Sequence, residues 1–335
     1  MRLNLLELAK IALALLSIFA LSGQVMAGVY KCLDRQNRTY YQDSPCQEMM
    51  AAKLPNGLGK TSDADESRAF FWKAAKGKAT LYLLGSLHFG TQSLLPLPQL
   101  VNDAFNRSDV LVVEADINNL SSKEIADGLS GKGRYTDNSK LEEHIKRITM
   151  DKTLDMANKL ELSDESLTTA KPWFAALMLN AQALKREGHN PALGIDKSLI
   201  QQAQDKKTVM ELESVEDQIN LFDQFSDQEQ EQMLLHTLHE LGRSAEYHKS
   251  IVDAWKQGDA EAMDLLVRQS FDSGQLGSKL FQLFYLDRNE RMTNRLVDLL
   301  NDGRSYFVVV GSGHLCGAKG ILKLLEQKGY TVTQP

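Results

Sequence analysis

The sequence predicts an α/β protein with a central mixed, mostly parallel sheet flanked by helices, preceded by a small β-hairpin module stapled by a disulfide. Apolar, β-branched runs such as residues 306–310 and 110–113 predict strands buried on both faces, which are typical of parallel sheets. Long helical stretches between these runs supply the flanking layers. The chain has 335 residues, of which 43% are hydrophobic, enough for one large α/β domain and a small appendage.

The charge balance argues against a nucleic-acid partner. The chain carries 38 basic and 44 acidic residues, which give a net charge of −6 and a pI near 5.7, and it has no basic block. Proteins that bind nucleic acid concentrate positive charge on one face or stripe. We therefore expect no nucleic-acid partner; a peptide or small-molecule substrate is what the motifs described below imply. The sequence leaves the oligomeric state open.

The first residues have the features of a secretory signal. Arg2 and Lys10 precede an apolar run at residues 11–21, and Val-Met-Ala at residues 25–27 fits a small-residue cleavage site. We predict a signal peptide over residues 1–27. The apolar run is shorter than the roughly 20 residues that span a membrane, so no stable span is expected after cleavage. The predicted location is the periplasm.

Residues 28–50 predict a small β module. Two short β-prone runs flank a turn, and a disulfide between Cys32 and Cys46 is the natural pairing in an oxidising compartment. Closing a loop of that size stabilises a fold by on the order of 3 kcal/mol. The pattern YKCLDRQNRTYYQDSPC resembles the small envelope module known as DUF4124, which implies no activity. Residues 51–65, rich in small and polar residues, predict a linker.

Residues 66–335 alternate strands and helices. The predicted strands are residues 69–72, 79–84, 110–114, 193–196 (a short strand or turn), 208–213, 305–310 and 330–332. The predicted helices are residues 99–106, much of 120–190 with a buried helix starting at Pro172, 197–205, 227–255, 258–300 and the stretch after Gly317. The strands are β-branched or aromatic runs bounded by turn residues. The proline suits the first turn of a helix.

Two similar motifs carry the strongest functional signal. GSLH at residues 85–88 and GSGH at residues 311–314 each follow a buried strand and share the pattern GxxH. Ligands of open α/β sheets bind at the carboxyl ends of the strands. Other predicted strands end in the carboxylates Glu114, Asp196 and Glu213. Histidine and carboxylate hold zinc, manganese or iron(II), so these residues predict a metal site if the fold brings them together.

Several motifs in order resemble those of the TraB/GumN family. They are LLGSLHFG around His88, DVLVVEAD around Glu114, DRNERM around Arg288 and Asn289, and FVVVGSGHLCGAKG around His314. The resemblance covers about residues 66–334 and extends to the Tiki metalloproteases and to the fold group of erythromycin esterase and ChaN. It implies an α/β core with an active site at the strand ends.

The resemblance also implies a role for each residue. His88, His314 and Glu114 would bind a divalent metal (manganese, cobalt or zinc), with Glu114 either a ligand or the general base. A metal of this kind lowers the pKa of bound water to about 7. Arg288, paired with Asn289, would stabilise negative charge in the transition state. A salt bridge from Arg288 to a core carboxylate, Asp196 or Glu114, is the alternative.

Two functions fit these features. The first is a metal-dependent hydrolase of the bacterial cell envelope, specifically a peptidase. The second is a non-catalytic protein that sequesters a peptide or a haem-like ligand. Members of the family are linked to the shutdown of peptide signals, which either function would explain.

The other polar candidates carry weaker signals. Glu213 is predicted to be a hydrogen-bonded structural carboxylate. Cys316, two residues after the second GxxH motif, is either a soft ligand or a protected thiol. The remaining histidines are predicted to lie in polar surroundings or near the solvated side of their helix: His144, His189, His236, His239 and His248.

Overall fold

The computed structural model describes residues 69–90, 92–116, 131–190, 193–241, 244–271, 274–300 and 303–335, together with the backbone of two strands between residues 30 and 42. Six strands form one sheet in the order β6-β5-β7-β4-β3-β8. They are β3 (Phe71–Lys76), β4 (Ala79–Ser86), β5 (Val110–Val113), β6 (Thr208–Glu211), β7 (Ser305–Gly311) and β8 (Thr331–Thr333). Strands β6, β5, β7 and β4 are parallel, whereas β3 is antiparallel to both β4 and β8. The predicted mixed, mostly parallel sheet is confirmed.

Helices flank the sheet. In chain order they are α1 (Gln99–Arg107), α2 (Leu141–His144), α3 (Arg147–Lys159), α4 (Asp164–Thr168), α5 (Pro172–Arg186), α6 (Ile195–Ala203), α7 (Val215–Asn220), α8 (Asp227–Glu240), α9 (Ser244–Gln257), α10 (Ala260–Gln269), α11 (Gly274–Phe281), α12 (Asp287–Leu299), α13 (Ser312–Leu315) and α14 (Ile321–Gln327). Short 3-10 turns cover Gln92–Leu94 and Phe222–Gln224, and a π-helical turn at Gln282–Leu286 joins α11 to α12. The buried helix predicted to start at Pro172 is confirmed.

Strand β7 lies at the centre of the sheet because its side chains are apolar on both faces. Tyr306 through Val310 are all at most 1% exposed. Its neighbours β4 and β5 run parallel to it on either side. A second apolar cluster surrounds α5, whose Trp173 stacks on Phe222. The sheet therefore holds the ends of β4, β5 and β7 at fixed positions along one edge.

Two sequence predictions differ from the structure. Residues 193–196, predicted as a short strand or turn, lead into helix α6, so Asp196 lies in the first turn of a helix. The sequence also predicts that the last two strands, residues 305–310 and 330–332, form a pair, but β8 pairs with β3 rather than with β7. Both edges of β7 are occupied by β4 and β5, so β8 joins the sheet at the outer edge of β3.

The N-terminal hairpin is partly described. Strands β1 (Tyr30–Leu33) and β2 (Thr39–Gln42) pair antiparallel, with Cys32 opposite Tyr40. Cys46, the predicted signal peptide at residues 1–27 and the linker at residues 51–65 lie outside the described residues, so the disulfide stays a prediction. None of the helices in the described ranges has both the length and the hydropathy that a membrane crossing requires.

Candidate metal centre

The sheet brings both GxxH motifs and Glu114 to one edge. In the parallel register Ser86 lies beside Gly311, and Val113 lies beside Val309. The chain continues from these three strand ends into His88, His314 and Glu114. The backbone N–H of Glu114 donates a 3.2 Å hydrogen bond to the carbonyl of Val309. The backbone pairing of β5 with β7 therefore extends to Glu114, one residue past the end of β5.

His88 follows β4 by two residues, and Asp196 holds its imidazole. Nδ1 of His88 lies 3.1 Å from Oδ2 of Asp196, whose Oδ1 accepts a 2.9 Å hydrogen bond from Ser86. Burial by itself lowers the pKa of His88, but the Asp196 carboxylate outweighs burial and raises it. Nε2 of His88 is buried and has no hydrogen-bond partner within the described part of the chain. In the neutral ring the proton therefore lies on Nδ1, and Nε2 keeps a lone pair.

His314 is completely buried, and Asn289 holds its imidazole. Oδ1 of Asn289 lies 2.6 Å from Nδ1 of His314, while Nδ2 of Asn289 donates a 3.0 Å hydrogen bond to the carbonyl of Lys319. That donation orients the amide so that its oxygen accepts the Nδ1–H of His314. The ring of Tyr285 stacks on the imidazole at 4.8 Å. Burial, with the Arg288 cation second, lowers the pKa of His314 to about 3, so the ring is neutral at physiological pH.

Nε2 of His314 resembles Nε2 of His88. It is buried and lacks a hydrogen-bond partner among the residues that the structure describes. It lies 4.0 Å from Oε1 of Glu114, beyond hydrogen-bond range. Both histidines of the GxxH motifs therefore present an unpaired lone pair, and both are oriented through the opposite ring nitrogen.

Glu114 is a buried, ionised carboxylate. Its Oε1 accepts hydrogen bonds from Gln218 (3.1 Å) and Arg288, and its Oε2 accepts one from the backbone N–H of Gly311 (3.0 Å). Burial by itself raises the pKa of Glu114, but Arg288, with smaller contributions from both site histidines, holds it well below the usual range. A carboxylate offers about four lone-pair positions, so these three hydrogen bonds leave one position on Oε2.

Arg288 is fully buried and bridges two carboxylates. Its Nε donates to Glu213 (2.8 Å) and its Nη2 pairs with both Glu114 and Glu213. Its Nη1 donates to the carbonyl of Phe284 (3.2 Å). Burial by itself lowers the pKa of Arg288, but the two carboxylates outweigh burial and raise it. The salt bridge that the sequence offered as an alternative is therefore present, and its partners are Glu114 and Glu213.

The spacing of these groups fits a metal ion in part. Nitrogen and oxygen ligands lie about 2.0–2.2 Å from zinc, so two ligands of one ion are separated by at most about 4 Å. The 4.0 Å between Nε2 of His314 and Oε1 of Glu114 lies at this limit, but Oε1 already accepts hydrogen bonds from Gln218 and Arg288. Within the described residues, three ligand atoms all within 4.8 Å of one another occur at Glu187, His189 and His248, and not at His88, Glu114 and His314. The unpaired Nε2 atoms nevertheless fit a cation, because a buried lone pair without a partner is costly.

A cavity opens beside His88. Besides His88 it is lined by Ser86, Phe89, Tyr247, Ile251, Met263, Tyr285, residues 311–313 and two further histidines, His189 and His248. Most of these side chains are apolar or aromatic, as in small-molecule and peptide sites. Cys316 is not among them. It is buried, its thiol contacts the carbonyl of Ser312 at 3.5 Å, and burial raises its pKa, so it stays a protonated thiol rather than a soft ligand.

Sequence reasoning missed the residues that orient this site. It placed Asp196 at the end of a strand as a possible ligand, whereas Asp196 holds the ring of His88. It gave no role to Gln218 or Tyr285, which contact Glu114 and His314. The available signal for Asp196 was its position two residues after Gly194, in the first turn of a helix that the glycine precedes.

These features describe an α/β protein in which adjacent strands lead into two histidines, each with a buried Nε2, and into a buried glutamate. The chain belongs to the TraB/PrgY/gumN family, whose model matches residues 70–334. The family predicted from the motifs is thereby confirmed. The DUF4124 resemblance of residues 28–50 lies outside the matched residues and stays a prediction.

The relatives of this chain carry no assigned activity in their names. The uncharacterized protein YbaP of Escherichia coli is 26% identical over 251 residues, which are 75% of this chain and 89% of YbaP. An uncharacterized protein of Treponema pallidum is 22% identical over 302 residues, which cover 85% and 86% of the two chains. No solved structure matches the chain significantly.

Proposed function

We propose that this protein is a metal-dependent hydrolase that cleaves peptides in the cell envelope. One observation carries the proposal: the imidazoles of His88 and His314 are each fixed through Nδ1, and each presents a buried Nε2 without a partner in the described structure. Histidines that bind a metal are oriented in this way, by a carboxylate or carbonyl oxygen on the second ring nitrogen. Two such histidines on adjacent strands favour a shared ion over two unrelated core residues.

Three residues bind the metal ion in this proposal. His88 and His314 hold the ion through Nε2, and Glu114 is the third ligand through the free position on its carboxylate. A divalent ion lowers the pKa of bound water to about 7 and so supplies a nucleophile at neutral pH. The depressed pKa of Glu114 makes it a weak proton acceptor, so a ligand fits better than a general base.

Arg288 and Asn289 act as positioning residues in this proposal. The hydrogen bonds of Arg288 go to Glu114, Glu213 and the backbone, so it fixes Glu114 rather than contacting a substrate. Asn289 fixes the tautomer of His314. The resemblance to the family assigned both residues to catalysis, and their positions beneath the site suggest that they act through its ligands.

The predicted location and substrate complete the proposal. A signal peptide at residues 1–27 would direct the protein to the periplasm, where Cys32 and Cys46 would form their disulfide. The largely apolar cavity beside His88 suits an apolar side chain of a peptide next to the bond to be cleaved. No nucleic-acid partner is expected from the acidic composition.

Metal analysis and a peptide library test this function together. The mature protein is dialysed against zinc, manganese or cobalt, its bound metal is measured, and cleavage of the library is followed by mass spectrometry. We expect His88→Ala and His314→Ala to lose an ion and all cleavage. The matched control is His239→Ala, an exposed histidine paired with Glu240, which should keep both.

Two results would contradict the hydrolase. Equal metal in the wild type and both site variants would remove the metal centre. Peptides that are captured but recovered intact would assign the sequestering function, and a Soret absorption band on addition of haem would identify a haem-like ligand.

A further inference from the structure

A second group of potential metal ligands comes from the end of helix α5 and from helix α9 rather than from the strands. Glu187, His189 and His248 each offer a ligand atom, and these three atoms all lie within 4.8 Å of one another. All three side chains are partly buried. In the described residues, none of the three is a hydrogen-bond or ion-pair partner of Arg288 or Glu114. The sequence predicted that both histidines lie at the surface.

The fold builds this group from two distant segments. Glu187 and His189 directly follow α5, and the backbone N–H of His189 donates a 3.0 Å hydrogen bond to the carbonyl of Leu184. The next residue, Asn190, exchanges two backbone hydrogen bonds with Gly90, which ties the end of α5 to the chain after His88. His248 comes from α9. The three residues are therefore held by helix ends and backbone pairing rather than by a free loop.

Each histidine is already oriented. Nδ1 of His248 lies 2.8 Å from Oε2 of Glu187, and the side chains of His248 and Glu187 are 13% and 23% exposed. The His189 imidazole hydrogen-bonds to the backbone of Phe89. The two imidazole rings are 5.3 Å apart, centroid to centroid. A metal-binding histidine typically donates its second N–H to a carbonyl or carboxylate, and the bond to Phe89 gives His189 that arrangement.

We propose that Glu187, His189 and His248 form a second binding site for a divalent cation of the zinc class. Two histidines and one glutamate are a common ligand set for zinc and leave its fourth position open. Both histidines line the same cavity as His88, so an ion held by them would be accessible from that cavity. The site stands on its own side chains and does not depend on the ion proposed at His88 and His314.

Other histidine–carboxylate pairs in the described residues differ from the group at Glu187, His189 and His248 because they lack a third potential ligand. His239 lies 2.7 Å from Glu240, and His144 lies 3.4 Å from Asp227. A pair of this kind is an ordinary surface contact in this protein. Only at Glu187 and His248, within the described residues, does a second histidine complete a group of three.

Zinc stoichiometry tests the second site without any measurement of activity. The full mature protein is stripped with a chelator and titrated with zinc, and bound zinc is measured by mass spectrometry or with a competing chromophoric chelator. We expect His189→Ala and His248→Ala each to bind one equivalent less than the wild type. His239→Ala, which removes an exposed histidine from a pair, should bind the wild-type amount.

A conservative variant distinguishes the loss of a metal ligand from the loss of the fold. Glu187→Gln keeps the size of the side chain, and we expect it to weaken zinc binding by more than about tenfold, because even residues that only orient a ligand are worth about 10–100-fold. Circular dichroism and the melting temperature without metal show whether each variant is folded.

The outcomes separate this site from the first one. Folded His189→Ala and His248→Ala proteins that bind as much zinc as the wild type overturn the proposal. If His88→Ala and His314→Ala bind as much zinc as the wild type while His248→Ala loses one equivalent, the first site fails and the second stands. The spectrum of bound cobalt gives an independent readout, since loss of one nitrogen ligand should change its visible bands in His248→Ala.

Discussion

Replacing Arg288 by methionine tests the buried ion pairs beneath the site. The guanidinium is 0% exposed and pairs with Glu114 and Glu213, which are both 6% exposed. Methionine fills much of the same volume but leaves two buried carboxylates without their cation. Removal of one partner from a buried ion pair costs about 3–5 kcal/mol, so we expect Arg288→Met to lower the free energy of unfolding by about that amount at neutral pH.

The sign of the pH dependence adds a second check. In the wild type the pKa of Glu114 is lowered, so its contribution to stability is present above its ordinary pKa of about 4.3 and is lost as the pH falls toward the folded value. Without the cation, burial should raise that pKa above its ordinary value. The variant then becomes relatively more stable as the pH falls, and its deficit should shrink between pH 8 and pH 5.

Arg291→Met is the matched control. Arg291 also contacts Glu213, at 3.5 Å, but its side chain is 56% exposed. An exposed ion pair contributes about 0–1 kcal/mol. Urea unfolding of both variants, followed by circular dichroism at pH 8 and pH 5, gives the comparison. Equal losses of stability in the two arginine variants would contradict a stabilising buried ion pair at Arg288, as would a deficit of Arg288→Met that is independent of pH.

Four further predictions concern the histidines and the strand ends. Asn289→Leu removes the acceptor of the Nδ1–H of His314 and should weaken metal binding at that site about 10–100-fold in a cobalt titration, whereas Asn289→Asp, which keeps an acceptor oxygen, should bind more tightly than Asn289→Leu. In an NMR titration from pH 8 to pH 5 the ring of His314 should stay neutral, because its pKa is lowered to about 3. The pKa of His88 is raised, so its ring should gain a proton at a pH above its ordinary pKa. Metal binding through His88 should weaken as the pH falls through that raised value. A His88 ring that stays neutral down to pH 5 would contradict the raised pKa. Gly85→Ala should destabilise the fold by about 1–3 kcal/mol in thermal unfolding, because its Cβ would lie 2.5 Å from the ring of Phe70, while Gly131→Ala, with open space around it, should not.

The sheet could be predicted from the sequence because its strands carry their own signal. Val110–Val113 and the run ending at Val310 are apolar on both faces, and only the interior of a parallel sheet buries such runs completely. Edge strands carry less information. Residues 208–211 are half-buried or exposed, and the partner of the last strand depends on which edges are free after the centre is complete.

The residues of the candidate site also differ in how well the sequence predicts them, according to whether they follow a strand or belong to a helix. His88, His314 and Glu114 follow strands, so strand order alone places them at one edge. Asp196 and Asn289 come from helices, and their contacts depend on how those helices pack on the sheet, which no local pattern records. The group at Glu187, His189 and His248 is a more extreme case. It depends on the end of α5 meeting α9, and each histidine taken alone resembles a surface residue.

The charge balance at the strand ends argues for a cation there. Arg288 carries one positive charge between two buried carboxylates, Glu114 and Glu213, while His314 is neutral. Arg291 is mostly exposed and reaches Glu213 only at 3.5 Å, so it is well screened. An uncompensated negative charge in a buried site is expensive unless a cation pairs with it. The Nε2 lone pair of His314 lies 4.0 Å from Glu114, so a divalent ion at this edge would both pair with the lone pair and compensate the negative charge. Metal binding should therefore raise the melting temperature of the wild type more than that of Glu114→Gln.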